Sequence, residues 1–111
     1  MLDNFEVLNI LNSLLHAKTN SAVACTAIDI QPIVSELLLR NPDLIYAESS
    51  RILRNRKNNA RVRFVTTLTG ASSLVGVRFE NVFILKDIDS RIGDLLAVQA
   101  SNTVHFELFG G

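Results

Sequence analysis

The feature that most constrains the fold is a change in the spacing of apolar residues near Ala60. Before this point, apolar residues such as Leu8, Leu11 and Leu15 recur at three- and four-residue steps, which is the spacing of one helix face. After it, apolar and polar residues alternate, which is the period of a strand with one buried face. The chain is therefore expected to combine a helical first part with a second part rich in strands.

Local start and stop signals divide the first part into three helices and one strand. The Asp-Asn-Phe-Glu stretch at 3–6 has the form of a capping box, so a helix is expected to begin there. The β-branched and small residues at 23–30 favour a buried strand. Pro32 and Pro42 each suit the first turn of a helix, where the missing N–H costs nothing. They predict a second helix from Gln31-Pro32 and a third through 44–53.

The second part predicts strands and one more helix. The expected strands are 60–68, 75–79, 82–85 and 102–109, and the expected helix is 87–100. The prediction is one α+β domain over residues 1–111, with a mostly antiparallel sheet of four or five strands and a helix before the last strand. The order of the earlier elements also matches a winged helix, which is the alternative architecture.

Composition bears on location and self-association. Apolar residues make up 48% of the chain, which is more than a small monomer easily buries, so a homodimer or larger assembly is expected. No apolar run approaches the roughly 18 residues of a membrane span, and no secretory signal is recognisable near Met1. We therefore predict a cytoplasmic protein without membrane contact. Cys25 is the only cysteine, which excludes an internal disulfide and favours a small buried residue.

The basic residues are concentrated in one stretch, 51–63. It holds six of the eleven basic residues and no acid, and the rest of the chain has five basic residues against eleven acidic ones. Net charge is zero and the sequence pI is about 6.7, whereas nucleic-acid-binding domains are commonly basic. The molecule is therefore expected to have one positively charged pole.

A valine, basic residue, phenylalanine pattern recurs in three of the predicted strands. The copies are Val62-Arg63-Phe64, Val77-Arg78-Phe79 and Val104-His105-Phe106. Because successive side chains of a strand point to opposite faces, the basic residues would stand opposite the core. On neighbouring strands they would form a row, extended by Arg61, that suits a polyanion. The alternative is a solvated face with Arg63 and Arg78 neutralised by Glu80 and Glu107.

Two functions follow from these patterns. The first is a small non-enzymatic protein that contacts nucleic-acid backbone, DNA or RNA, through a basic cluster. The predicted contact residues are Arg51, Arg54, Arg56, Lys57, Arg61 and Arg63, with Arg78 in support. The alternative is a homo-oligomeric protein–protein interaction or assembly factor, such as an inhibitor, a chaperone or an antitoxin-like protein. There the basic pole would steer an acidic partner.

Signals for enzymatic chemistry are weak. His16 and His105 stand alone, and neither a nucleophile motif nor a glycine-rich phosphate loop is present. The two carboxylates of 87–89 suit helix capping better than a metal. We predict no catalysis, no cofactor and no metal. Tyr46 and Phe109 are the candidate aromatic contacts, so phosphate contacts are expected to dominate over base stacking.

Overall fold

The computed structural model describes residues 3–107, except for the side chain of Asn4, and these residues form four helices and six strands. In chain order they are α1 (Asn4–Leu14), β1 (Asn20–Ala24), α2 (Ala27–Arg40), β2 (Leu44–Ala47), β3 (Ile52–Asn55), β4 (Arg61–Val65), α3 (Leu68–Ser72), β5 (Phe79–Leu85), α4 (Ser90–Val98) and β6 (Ala100–Phe106). None of these helices is both long and apolar enough to cross a bilayer.

The six strands of this region form one mixed sheet in the order β2-β3-β4-β1-β5-β6. Strand β1 pairs in parallel with β4 and β5, and β5 pairs in parallel with β6. Strands β2, β3 and β4 form an antiparallel meander. The α+β class is confirmed, but the sheet has six strands and is mixed, where the sequence predicted four or five strands, mostly antiparallel.

Helices cover the sheet on both faces. On the front face, Leu11 of α1 and Leu37 of α2 belong to one core cluster with Val23 and Phe83. On the back face, Leu96 of α4 belongs to a second cluster with Ala22, Val82 and Ile84. Strands β1 and β5 are thus buried on both sides, which explains the unbroken apolar runs at 22–24 and 82–85 within them.

Strands β2, β3 and β4 are covered on the front face only. Leu53 and Val62 point into the front core and are fully buried. Alternation turns their neighbours to the back, where the residues of β2 to β4 stay exposed or half-buried up to Val65. Among the described residues, no helix lies over this part of the back face. The fold therefore leaves half of one sheet face open.

The predicted third helix at 44–53 is wrong, because this segment is the β2–β3 hairpin. Leu44, Ile45 and Tyr46 are β-branched, aromatic or apolar residues that suit a pleated surface, and Glu48-Ser49-Ser50-Arg51 forms the turn. Arg51 has a φ of 56°, which ends any helical path. The winged-helix alternative fails with it, since that architecture needs a helix at this place.

The other boundaries shift for local reasons. The strand predicted at 23–30 ends at Ala24, because Thr26 and Asp29 form a capping box that starts α2 at Ala27 and leaves Pro32 inside the helix. The helices predicted from residue 3 and at 87–100 are confirmed as α1 and α4.

The region between β4 and β5 also differs from the prediction. Residues 69–73 have the composition of a turn, but α3 begins at Leu68 and is capped by Thr67. The strand expected at 75–79 begins only at Phe79, because the chain first crosses to the far side of β1. Residues 108 and 109 of the predicted last strand lie outside the described residues.

Candidate nucleic-acid interface

Three arginines share the open part of the back face, and we call this surface the arginine face: Arg54, Arg61 and Arg63. Arg54 of β3 lies directly across from Arg61 of β4 in the strand register. Arg63 follows two residues after Arg61 and pairs with Ala22 of the back cluster, which fixes its side of the sheet. The predicted placement of Arg61 and Arg63 opposite the core is thus seen in β4.

The positive charge of this surface is not neutralised by described residues. The ion pairs among the described residues are Lys57–Asp43, Lys86–Glu107 and Arg91–Asp89. None of them includes an arginine of the arginine face. Glu80 lines the same depression as Arg61, but its carboxylate accepts a 2.5 Å hydrogen bond from the Asn20 N–H. The alternative in which Glu80 and Glu107 neutralise the arginines is therefore not what the structure shows.

The pair formed by Arg54 and Arg61 has an energetic cost. Like charges directly opposite each other on antiparallel strands repel, at roughly the level of 0.2–1 kcal/mol that governs cross-strand pairs. The stability of the fold therefore does not explain why two guanidinium groups lie opposite each other on β3 and β4. An anion lying across both strands would turn this repulsion into shared attraction.

Arg63 has an unsatisfied donor. The residue is half-buried, and its Nε atom is buried without a hydrogen-bond partner in the described part of the chain. Buried donors are nearly always paired, because an unpaired one forfeits its hydration. The side chain lines a cavity of about 340 Å³ between the β2–β3 turn and α3.

Arg51 lies at the end of the hairpin, beside the same cavity. Its Nη1 donates to the hydroxyl of Thr66, and its carbonyl accepts the Phe64 N–H at 2.9 Å. These two bonds anchor the turn to the end of β4. Arg51 therefore approaches this cavity from the β2–β3 turn, and Arg63 approaches it from β4.

The remaining predicted contact residues lie elsewhere. Arg56 and Lys57 occupy the β3–β4 turn, at the opposite end of the hairpin from Arg51, and Lys57 pairs with Asp43 at 3.4 Å. Arg78 is exposed ahead of β5, where its carbonyl accepts a bond from Asn20 at 2.9 Å. The structure thus brings together Arg54, Arg61 and Arg63 with Arg51 at one end, and leaves the other three apart.

The predicted row of Arg63, Arg78 and His105 does not form. Strand β1 separates β4 from β5, and α3 and α4 cover the back face of the strands between Arg63 and β6. His105 is on the edge strand β6, level with Ile84. The repeated Val-basic-Phe pattern therefore marks three core phenylalanines and not one binding row.

The structure adds hydroxyl groups that sequence reasoning missed. Ser49 and Ser50 in the β2–β3 turn, Thr66 and Thr67 after β4, and Ser73 after α3 line the cavity beside Arg51 and Arg63. A signal existed, since Thr66-Thr67 follows directly after an alternating strand, where loops of parallel sheets carry binding groups. The sequence does not reveal the cavity, because residues 48–50 fall within the predicted helix at 44–53 and not in a turn near Thr66.

Aromatic and thiol groups have structural roles. The Tyr46 ring packs edge-to-face on Phe64, with 6.2 Å between ring centroids, on the front side of the sheet. Burial raises the pKa of Tyr46, with Glu48 adding to the rise and Arg51 opposing it. Burial, with Asp29 adding and Arg51 opposing, raises the pKa of Cys25 to about 12, so its thiol stays protonated at neutral pH. Phe109 lies outside the described residues.

Of the two carboxylates at 87–89, that of Asp89 acts in helix capping. Asp89 is the N-cap of α4 and accepts from the Arg91 N–H at 3.0 Å, and hydrogen bonds from Arg91 hold the pKa of its carboxyl below its usual range. Across residues 3–107, no three His, Cys, Asp or Glu side chains are grouped so as to hold a metal ion.

Comparison with models of protein families and with curated protein sequences finds no match to this chain.

Proposed function

We propose that this domain binds the sugar–phosphate backbone of nucleic acid across the arginine face, without catalysing a reaction. The observation that carries the proposal is the cross-strand pair of Arg54 and Arg61, next to Arg63, on a sheet surface that no described helix covers and no described carboxylate pairs with. Guanidinium groups bind phosphate oxygens bidentately, and each bound phosphate releases condensed counterions. A cytoplasmic location stays a prediction.

The chemistry of the surface favours backbone over base recognition. Its apolar members are Ile45, Ala47 and Ile52, which line a depression of about 250 Å³ with Arg54 and Arg61. Aliphatic side chains offer no platform for base stacking, whereas phosphate contacts carry no sequence information. The proposal therefore implies weak sequence preference and affinity that falls steeply with salt.

The test is fluorescence anisotropy with labelled single-stranded DNA, duplex DNA and RNA of mixed sequence over a salt series. We expect Arg61→Gln to weaken binding for all sequences and to lower the slope of log K against log salt by about one. Arg56→Gln removes the same charge from the β3–β4 turn and is the matched control, with little effect expected. Binding no tighter than about 10 μM at 50 mM salt would refute the proposal, as would equal losses in both variants.

A second candidate function, protein assembly, is favoured by the outer surface of α2. Ile28 and Leu39 are 83% and 82% exposed, and eleven residues correspond to three helical turns, so both lie on one side of the helix. Phe5 of α1 is 62% exposed nearby, with the Arg40 guanidinium 5.8 Å from its ring centroid. Exposed apolar groups of this size suit a second copy of the chain or another protein.

A further inference from the structure

We infer that the cavity between the β2–β3 turn and α3 is a binding site for a phosphomonoester group. It lies at the carboxyl end of β4, between Arg51 on one side and Arg63 on the other. The site adjoins the arginine face and shares Arg63 with it, but Arg54 and Arg61 do not line it. A ligand can therefore occupy the cavity without nucleic acid being bound to the arginine face.

The two arginines supply the charge. Neither forms an ion pair with a described residue. The Nε–H of Arg63 is buried without a partner among the described residues, and Arg63 lines the cavity, so an acceptor that reaches this group from the cavity would supply its missing hydrogen bond. Arg51 is already oriented, because the Thr66 hydroxyl accepts from its guanidinium. Preorganised donors of this kind bind an anion without a further ordering cost.

The hydroxyl groups select the class of anion. The Thr67 oxygen accepts from the Gly70 N–H at 2.9 Å, and the Thr66 oxygen accepts from Arg51, so both hydroxyl hydrogens stay available to a ligand. Two guanidinium groups and two hydroxyl groups match a doubly charged group with three terminal oxygens better than a singly charged phosphodiester with two free oxygens. A phosphomonoester presents three terminal oxygens and a charge of about −1.5 to −2.

Position and size agree with this assignment. Ligands of open parallel sheets bind beyond the carboxyl ends of the strands, which is where Thr66 and Thr67 follow β4. A volume of about 340 Å³ is near the lower end for ligand sites and suits a phosphate with a small attached group. Glu48 also lines the cavity, but its side chain is exposed, so solvent screens its charge and the repulsion of an anion is expected to be partial.

The experiment is a titration of the ¹⁵N-labelled protein with inorganic phosphate at constant ionic strength, followed by two-dimensional NMR. We expect saturable shifts of the Ser50, Thr66 and Thr67 amides and none in the β3–β4 turn. Absence of saturation up to about 20 mM phosphate, which is weaker than any useful anion site, overturns the inference, as does a response centred on the β3–β4 turn.

Variants separate binding from folding. Arg51→Asn removes the guanidinium, and asparagine tolerates the positive φ of that turn, so the phosphate Kd should rise at least about tenfold in a folded protein. Arg63→Lys keeps the charge but removes the buried Nε–H, and a several-fold loss is expected. Glu48→Gln should tighten binding, a gain that misfolding cannot produce. Arg56→Gln is the charge-matched control, and a loss in it equal to that of Arg51→Asn contradicts the site.

Oligonucleotides with 5′-phosphate, 3′-phosphate or hydroxyl ends identify the source of the group. If one phosphorylated form binds more tightly than the hydroxyl form, and Arg51→Asn removes this difference, the ligand is the phosphorylated end of a strand. Equal binding of all forms, with inorganic phosphate still bound, identifies a free small phosphorylated molecule. Oligonucleotide binding without any phosphate site refutes this inference and leaves the proposed backbone contact intact, whereas the reverse result refutes only the backbone contact.

Discussion

At the scale of single residues, Cys25 shows how burial decides a chemical role. The side chain is 2% exposed at the end of β1, and its pKa is raised to about 12 by desolvation first and by Asp29 second. Arg51 opposes the rise. A thiol with such a pKa carries almost no thiolate at neutral pH, and thiolate is the nucleophile. Cys25 is therefore a small core residue, as its apolar sequence neighbours indicated.

This shift predicts how stability depends on pH. The unfolded thiol ionises near the ordinary value of 9.0 and the folded thiol near 12. The free energy of unfolding should therefore contain a contribution from Cys25 that is constant below pH 9 and falls as pH rises from 9 to 12, by at most about 1.4 kcal/mol per pH unit. Urea unfolding of the wild type and of Cys25→Ala at pH 7 to 10.5 measures it. Equal pH dependence in both proteins would show that the buried thiol does not titrate in this way.

At the scale of elements, the β2–β3 hairpin extends the sheet beyond its parallel centre and creates the surface on which the arginine face lies. Its base is fixed by Asn55, which is 4% exposed and donates to the Leu15 carbonyl at 2.8 Å. The hairpin is thus tied to the end of α1, and its front side is part of the core through Leu53. A rigid base with an open back face is a suitable support for binding groups.

The cross-strand arginines predict a conflict between stability and binding. We expect Arg54→Thr to raise the free energy of unfolding by about 0.5 kcal/mol at low salt, because it removes like-charge repulsion and adds a residue that favours strands. The gain should shrink as salt screens the charges, and nucleic-acid affinity should fall in the same protein. Urea unfolding at two salt concentrations measures the gain.

Arg56→Thr removes the same charge from a turn and serves as the control, for which no gain is expected. A loss of stability in Arg54→Thr at every salt concentration would mean that the guanidinium of Arg54 stabilises the folded hairpin. The charge pair would then no longer require an anionic ligand.

Elements with local signals were predictable. Helix α1 was predicted from the capping box at 3–6 and the spacing of its apolar residues, and both are encoded within a few positions. The β2–β3 hairpin was not predicted, because the apolar pairs at 44–45 and 52–53 fit either one interrupted helix or two short strands. The parallel pairing of β5 with β1 joins residues about sixty positions apart, so no local pattern determines it.

The residues of the candidate site also divide into those that a local sequence pattern places correctly and those that it does not. The shared face of Arg61 and Arg63 was predicted correctly, because strand alternation is a local property. Arg51 was expected on the third helix at 44–53, and its actual neighbours are Thr66 and Arg63. That cavity depends on the β2–β3 turn meeting α3, and α3 is a five-residue helix that its composition marks as a turn.

At the scale of the whole molecule, the two candidate functions use opposite sides of the sheet. Helix α2 packs on the front face, and its exposed side carries Ile28 and Leu39. The arginine face is on the back. A dimer formed through α2 would leave one arginine face outward on each protomer, so self-association and backbone binding are compatible. Such a dimer would be bivalent, and avidity would raise its apparent affinity for long strands over short ones.

This geometry predicts separable effects of one substitution. Leu39→Lys places a charge in the exposed apolar surface of α2 and should convert a concentration-dependent dimer into a monomer in size-exclusion chromatography with light scattering. Affinity for a short oligonucleotide that reaches one arginine face should stay within about twofold, while the advantage of long strands is lost. Glu36→Gln, an equal change of charge on the same helix, should leave the dimer intact. A wild type that is monomeric at about 100 μM would exclude assembly through α2, and lost short-strand binding in Leu39→Lys would mean that α2 itself contacts nucleic acid.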